Sequence, residues 1–391
     1  MGLNFRHIYW RLQSRFYKEC GRLLKCLPVS RRKIVFNNFY GKGYGDSPKY
    51  IAEEIHRRGL GVDMVWLVND LNLECPPVIR KVKLQSLKAS FELSTAKMIV
   101  SNVRATLPYK KKRSQYYIQT WHGSVAFKAI EKDAVDKLRP DYVREAVADS
   151  KSINLFLSSN SIQTREIQSC FWYDGEIFES GSPRNDMLFK SDDVKCSIRQ
   201  NLGLSPDTKV VLYAPTFRDD FRMDVYNLNL TEVCNRLGSR LGGCWIALAR
   251  LHPNVTEAGV VAYSDTVLNA SSYPDMQELL LIADVLITDY SSTIYDAAIM
   301  NKLVLLYAPD LDDYKSNRGL KQVYFDFPTR ICQTADELFS FVDELDMAAY
   351  HARLRAFLSN VRIFDDGHAS ERVVDKMLAV MKVNTCFSTQ N

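Results

Sequence analysis

The sequence lacks several features that would place it in a specialised class of protein. Its nine cysteines include no CxxC pair and no regular spacing, which argues against a disulfide scaffold or a zinc site and favours reduced thiols in a cytoplasmic protein. No apolar run reaches the roughly 18 residues of a membrane-spanning helix, and no signal peptide with a small-residue cleavage site is visible. The net charge of +5 is too small to imply nucleic acid as a partner.

The size and composition are those of a soluble globular protein with two domains. The chain has 391 residues, of which 46% are hydrophobic and 25% are charged, so each half is long enough to bury its own core. We predict a short segment at 1–30, a first domain at 31–190 and a second domain at 191–391 that includes the C-terminal helices.

The first 27 residues predict a basic amphipathic helix. Apolar residues recur at three- and four-residue intervals, and six Arg or Lys residues accompany the single acidic residue Glu19. We expect the helix to lie on an anionic membrane surface, although it would also suit packing on its own protein. The basic run at 110–113 is either a solvated loop or a second part of the same surface.

Apolar runs of strand length alternate with helical patterns, which predicts an α/β protein with parallel sheets. A glycine-rich loop, 41–47, follows the first run but does not match GxGxxG, so a Rossmann dinucleotide site is not expected. The predicted strands are 33–39, 63–68, 97–100, 116–120, 155–157, 284–288 and 303–307, with two more that open the segments 209–218 and 245–253 and run into polar loops.

Two segments place reactive groups at the predicted carboxyl ends of strands, where open α/β sheets bind ligands. His122 follows one strand and is a candidate general base; alternatively, it is a core histidine with a satisfied hydrogen bond. Ser291 and Ser292 follow another strand and open a helix, whose N-terminus suits a diphosphate. Asp296 lies one turn later on the same face and suits ribose hydroxyls. Ser291 would also serve as a simple helix cap.

Two further strands of the second domain end in potential anion ligands. Thr216 and Arg218 follow one strand, and Arg250 and His252 follow the other. Because parallel strands end at one edge, these groups are expected to converge with Ser291.

Five ordered motifs carry a family resemblance over about residues 31–370. They are Thr120-Trp-His-Gly-Ser124, Gly181-Ser-Pro-Arg-Asn-Asp186, Tyr213-Ala-Pro-Thr-Phe-Arg218, Leu251-His-Pro253 and Asp289-Tyr-Ser-Ser292. With them the chain resembles the CDP-glycerol glycerophosphotransferases, which include teichoic acid primases, polymerases and related capsule enzymes. The sequence departs from the common pattern after Trp-His-Gly and at Ser182, both on the acceptor side.

The resemblance implies a GT-B-like fold, with two Rossmann-like domains facing a central cleft. It implies that His122 is the base and that His252 is a second catalytic residue. It also implies that His252, Ser291 and Ser292 bind the donor diphosphate. We expect Gly123, Ser124, Arg184 and Asp186 on the acceptor side. It further implies peripheral attachment to the cytoplasmic membrane face and a polyprenyl-diphosphate-linked glycan acceptor.

The predicted reaction is the transfer of glycerol phosphate from CDP-glycerol to an acceptor hydroxyl, with release of CMP. CDP-ribitol is the alternative donor, and a GT-B glycosyltransferase using a nucleotide sugar is the alternative enzyme. A non-catalytic protein that binds membranes or polyanions would explain only the basic N-terminus. No cofactor or metal is expected. The acidic pairs at 219–220 and 312–313 would suit Mg²⁺, but we interpret them as solvated loop carboxylates.

Overall fold

The computed structural model describes residues 23–104, 111–218, 223–251, 255 and 260–382. Within these residues, strands form two separate parallel sheets of seven and six strands. Parallel sheets of this kind are covered by helices on both faces, which accounts for their nearly continuous apolar strands. The predicted α/β class is therefore confirmed.

The first sheet has the order β3-β2-β1-β4-β5-β6-β7, and the second has the order β10-β9-β8-β11-β12-β13. The strands of the first sheet are β1 (Ser30–Asn37), β2 (Asp63–Val68), β3 (Ile79–Lys83), β4 (Ala96–Ser101), β5 (Tyr116–Gln119), β6 (Leu155–Leu157) and β7 (Glu176–Phe178). Those of the second are β8 (Lys209–Tyr213), β9 (Trp245–Ala249), β10 (Val267–Asn269), β11 (Val285–Thr288), β12 (Leu303–Tyr307) and β13 (Ile331–Cys332).

Helices connect the strands and cover the sheets. They are α1 (Asp46–Arg57), α2 (Leu87–Thr95), α3 (Pro140–Ser150), α4 (Ser161–Cys170), α5 (Asp192–Asn201), α6 (Leu230–Leu241), α7 (Met276–Ile282), α8 (Thr293–Ile299), α9 (Leu311–Arg318), α10 (Gln322–Phe325), α11 (Ala335–Asp343), α12 (Met347–Ser359) and α13 (Ala369–Met381). Short 3₁₀ helices lie at Leu24–Cys26, Glu131–Lys137, Pro183–Phe189 and Asp224–Tyr226.

Local sequence explains where α1 ends. Gly59, the residue after the C-cap, has a φ of +61°, a left-handed conformation that glycine adopts without the steric cost other residues meet. The chain can therefore leave the helix and enter β2.

Each domain has its own hydrophobic core, and the last helix joins the two domains. In α13, Val373, Val374 and Met377 pack in the first domain's core together with Ile34 and Trp66. The prediction that all C-terminal helices belong to the second domain is therefore wrong for α13. Its apolar stripe was visible in the sequence, but the stripe does not specify which domain it covers.

The predicted N-terminal amphipathic helix lies largely outside the described residues, which begin at 23. Residue 110 of the basic run also lies outside them. No helix in the described ranges combines the length and apolar character needed to cross a bilayer.

Candidate active site

His122 lies just beyond β5, at the carboxyl edge of the first sheet. Its Nδ1 is 2.8 Å from the main-chain carbonyl oxygen of Asn102, which follows β4. A carbonyl oxygen only accepts hydrogen bonds, so Nδ1 must carry the proton. In the neutral ring, Nε2 is then left with a free lone pair. This is the tautomer that a general base acting through Nε2 requires.

Asn102 is itself held by the loop after β1. Its amide nitrogen donates to Asn38 Oδ1 at 2.8 Å, and its amide oxygen accepts from the Phe39 N–H at 2.9 Å. The carbonyl that orients His122 is therefore fixed by a network of buried amides. Asn102 is a supporting residue that the sequence analysis missed; its place directly after a buried strand was the available signal.

The surroundings of His122 keep its ring neutral. Burial lowers the pKa of His122 below its ordinary value, with a further lowering from the charges of Arg184 and Lys128, while the Asn102 carbonyl and Asp46 act in the opposite direction.

The ring of Trp121 lies 4.5 Å from that of His122, centroid to centroid. Trp121 has a φ of +55°, an uncommon conformation for a bulky residue and a form of strain that often marks functional sites.

Ser291 and Ser292 follow β11 at the facing edge of the second sheet. The Oγ of Ser291 accepts from the N–H of Thr293 at 3.3 Å and from its hydroxyl at 2.9 Å, so Ser291 bonds to the first residue of the short helix α8, whose N-cap is Ser292. A Cβ placed on Gly123 would lie 3.0 Å from Ser292 Oγ. The residue after the candidate base therefore contacts the predicted donor-binding residue across the cleft between the domains.

The two predicted anion ligands after β8 have different surroundings. The N–H of Thr216 donates to Asp289, at 2.9 Å and 3.1 Å from its two oxygens, and its buried hydroxyl has no hydrogen-bond partner among the described residues. Arg218 instead pairs with Asp289 at 2.8 Å and with Asp310 at 2.6 Å. Its guanidinium is already neutralised by carboxylates, so the structure contradicts a direct role for Arg218 in binding phosphate and assigns it to holding the strand ends together.

Arg250 remains suited to an anion. Its guanidinium donates to the carbonyl of Tyr273 at 3.1 Å, and no carboxylate among the described residues lies within ion-pairing distance of it. Burial lowers the pKa of Arg250, and the charge of Asp275 opposes this effect. A half-buried guanidinium without a carboxylate is a strong candidate to bind phosphate.

Asp296 is placed differently from the prediction. Its carboxylate is 0% exposed and accepts from Ser124 Oγ at 2.8 Å and from Arg184 at 2.8 Å. The amides of Asn185 and Gln277 also donate to it. The structure therefore contradicts a contact with ribose hydroxyls, because both oxygens are filled by protein donors.

Arg184 links the two edges of the cleft. Besides Asp296, its guanidinium donates to the carbonyl of His122 at 2.7 Å and to Asp46 at 3.1 Å. Arg184 and Ser124 are both buried, so the expectation that they face an acceptor is wrong in this structure. Both instead fix the loop that carries His122 relative to the second domain.

Asp186 is also not on the acceptor side. Its two oxygens accept from the N–H groups of Ala369 and Ser370, at 2.8 Å and 2.7 Å. These are the first residues of α13, so the carboxylate caps that helix where an anion is favoured. Of the four predicted acceptor-side residues, Gly123 is the one that is not buried.

His252 and the acidic pair at 219–220 lie outside the described residues, so their predicted roles stay predictions. The other acidic pair, Asp312 and Asp313, is exposed in the first turn of α9. In the described part of the chain, no group of three or more His, Cys, Asp or Glu side chains is placed to hold a metal ion.

Comparison with known proteins identifies the family. Residues 20–379 match the model of the CDP-glycerol:poly(glycerophosphate) glycerophosphotransferases. A teichoic acid poly(glycerol phosphate) polymerase of Bacillus spizizenii is 28% identical over 388 residues, which cover 95% of this chain and 98% of the relative. A teichoic acid glycerol-phosphate transferase of Staphylococcus aureus is 29% identical, over 90% of this chain and 94% of the relative.

A polymerase of the same description from Staphylococcus epidermidis is 34% identical, but the chain spans only 50% of its length. A solved structure of the wall teichoic acid polymerase TagF superposes with a TM-score of 0.82 at 30% identity, covering 97% of each chain. A TagF variant soaked with CDPG superposes equally well. These matches confirm the GT-B-like arrangement, and the chain belongs to the CDP-glycerol:poly(glycerophosphate) glycerophosphotransferase family.

Proposed function

We propose that the protein transfers glycerol phosphate from CDP-glycerol to a hydroxyl of a polyprenyl-linked saccharide or growing polymer, in teichoic acid or capsular polymer synthesis. The observation that carries this proposal is the placement of His122. Its unprotonated Nε2 belongs to a loop whose next residue, Gly123, contacts Ser292 across the cleft. A base from one domain thus adjoins a donor-binding loop of the other.

The proposed reaction is a displacement at the glycerol-bearing phosphorus. His122 Nε2 takes the proton of the acceptor hydroxyl, and the oxygen attacks that phosphorus. The bond to the bridging oxygen breaks, and CMP departs with its electron pair. A new phosphodiester joins glycerol to the acceptor. Transfer of this kind depends mainly on positioning and on stabilising charge.

The groups that we propose to bind the donor diphosphate belong to the second domain. Ser291 and Ser292 supply hydroxyls, Arg250 supplies a guanidinium without a carboxylate partner, and Thr216 supplies a buried hydroxyl with no partner in the described structure. We further propose that His252 completes this set. Since the chain itself supplies these charges, we propose turnover without a metal. Full loss of activity after dialysis against a chelator, restored by Mg²⁺, would contradict that part.

The donor is proposed as CDP-glycerol because the family and the relatives that cover most of this chain are described as acting with glycerol phosphate. CDP-ribitol remains the second candidate, since a teichoic acid poly(ribitol-phosphate) polymerase of Bacillus spizizenii is 27% identical over 94% of this chain. A nucleotide-sugar glycosyltransferase shares only the general architecture of the diphosphate site.

We also propose peripheral attachment to an anionic membrane at its cytoplasmic face, where a polyprenyl-diphosphate-linked glycan would be reached. Support comes from a groove of about 750 Å³ lined by Arg31, Arg32, Lys97 and Lys382. It lies by the amino ends of β1 and β4. Clustered cations at one surface favour anionic head groups.

The test is incubation of the purified protein with a lipid-linked disaccharide and radiolabelled CDP-glycerol, CDP-ribitol or UDP-sugars in separate reactions. Mass spectrometry of the products should show added glycerol phosphate and released CMP with CDP-glycerol only. One added unit would indicate a primase, and a ladder would indicate a polymerase. Transfer from a UDP-sugar with none from either CDP-alditol would contradict the proposed function.

A further inference from the structure

Lys128 is a partly buried cation, and no carboxylate among the described residues lies within ion-pairing distance of it. Its ammonium donates to the hydroxyl of Tyr314, 3.5 Å from Nζ, at the outer limit of hydrogen-bond length. A buried ammonium without a strong partner is costly, because it has lost water without an equal replacement.

Four other buried or partly buried lysines among the described residues have strong partners. Lys33 pairs with Glu92 at 2.6 Å, Lys49 pairs with Asp275 at 2.6 Å, and Lys321 pairs with Asp133 at 2.8 Å. Lys302 has no carboxylate but donates to two main-chain carbonyls. Lys128 has neither kind of partner, which distinguishes it from all four.

The main chain fixes the position of Lys128. The N–H of Ala129 donates to the carbonyl of Gly319 at 3.0 Å, and the N–H of Lys321 donates to the carbonyl of Phe127 at 2.9 Å. Phe127 is 1% exposed and packs in the core of the second domain. Lys128 itself forms an isolated antiparallel bridge with Leu320, and its contact Tyr314 belongs to the same core as Phe127.

The chain links Lys128 to the candidate base, and contacts link it to the donor edge. Lys128 follows His122 by six residues, and its contact Tyr314 stacks on Tyr290, with ring centroids 3.7 Å apart. Tyr290 directly precedes Ser291. The charge of Lys128 also lowers the pKa of His122. The charge of the ammonium therefore affects the base. Through Tyr314 and Tyr290, the ammonium is also connected to the edge that holds the donor serines.

The charges near Lys128 favour an anion. Burial lowers the pKa of Lys128 first, followed by the charge of Arg318; Asp289 opposes this lowering, and Arg218 adds to it. Asp289 is already paired with Arg218. An incoming phosphate would relieve both the desolvation and the repulsion between cations.

We propose that Lys128 is a phosphate-binding residue of the reaction site, and that its ammonium pairs with a phosphate oxygen of the bound substrates. This assignment rests on the proposed function. The phosphate belongs either to the donor diphosphate or to a phosphodiester of the acceptor. In both cases the partner is a phosphate anion, and the two sources are separable by binding measurements.

The experiment compares Lys128→Met and Lys128→Arg with wild type and with Lys132→Met, a control at an exposed lysine nearby. Calorimetry measures the affinity for CDP and for cytidine, and steady-state kinetics measures the KM for a glycerol phosphate oligomer as acceptor. Thermal unfolding establishes that each variant is folded. Lys128→Gln replaces Lys128→Met if the latter does not fold.

If Lys128 binds the donor, Lys128→Met should weaken CDP binding by about tenfold or more and leave cytidine binding unchanged. If Lys128 binds the acceptor, the affinity for CDP should be unchanged in Lys128→Met, and the KM for the oligomer should rise by a similar factor. Lys128→Arg should recover part of either loss. Unchanged constants in a folded Lys128→Met protein would overturn the assignment. Wild type that fails to bind CDP or to use CDP-glycerol would instead overturn the proposed function.

Discussion

Replacing Arg184 with methionine should destabilise the protein and slow transfer together. The guanidinium is 8% exposed and lies 2.8 Å from an Asp296 carboxylate that is 0% exposed. Methionine fills similar space but leaves that carboxylate buried without its cation. Breaking a buried ion pair on one side costs about 3 to 5 kcal/mol. We expect the free energy of unfolding to fall by an amount in this range. The remaining donors to Asp296, which are Ser124, Asn185 and Gln277, should lessen the loss.

The kinetic effect follows from the other contacts of Arg184. Its bond to the carbonyl of His122 fixes the loop that carries the base, and its bond to Asp46 ties that loop to α1. Loss of these bonds should lower kcat by about tenfold or more, because small displacements of reacting groups are costly. CDP affinity should change less, since Arg184 is buried and does not face the cleft.

The assay is urea unfolding followed by tryptophan fluorescence, with Arg165→Met as a matched control at an exposed arginine. Asp296→Asn and the double variant complete a mutant cycle. The coupling energy should be large, because the two side chains are in direct contact. A loss below about 1 kcal/mol for Arg184→Met, with additive single effects, would refute a stabilising ion pair, since exposed pairs contribute no more than that.

Three further outcomes are expected. Because burial lowers the pKa of His122 and the base must be unprotonated, kcat/KM should stay level as pH falls to about 6.5 and decline only below it; a decline already complete at pH 7 would contradict this. Gly123→Ala, whose new methyl would lie 3.0 Å from Ser292 Oγ, should reduce kcat by about 10- to 100-fold without unfolding the protein. Wild-type kinetics would show that the residues around Gly123 move to accommodate the methyl group. Removing residues 1–27 should release the protein from anionic liposomes, each near-surface cation contributing about 1 kcal/mol, while activity on soluble acceptor analogues persists; unchanged sedimentation would place the anchor elsewhere.

The sequence predicted the central strands well and the short edge strands poorly. Asp63–Val68 and Leu155–Leu157 have the predicted bounds, because continuous apolar runs mark buried parallel strands. Ile79–Lys83 and Glu176–Phe178 were not predicted. They are short strands at the two ends of the first sheet, and the former carries Arg80, Lys81 and Lys83, so no apolar run marks it.

The candidate site was predicted by its residue positions more successfully than by their roles. A motif located Arg184 and helical spacing located Asp296, but the bond between them spans 112 positions in sequence. No local pattern shows that two distant charges neutralise each other. Asp186 shows the same difficulty, since the N–H groups that it caps lie in α13. Direct ligands and buried supports use the same residue types, and packing alone separates them.

Turnover of CDP-glycerol by His122→Ala tests most directly whether His122 removes the acceptor proton. CDP affinity, measured by calorimetry on the same preparation, should remain near that of wild type, because the donor is proposed to bind the second domain. Product formation should be abolished. Turnover within about tenfold of wild type, equivalent to about 1.4 kcal/mol of barrier, would contradict a role for His122 as the base.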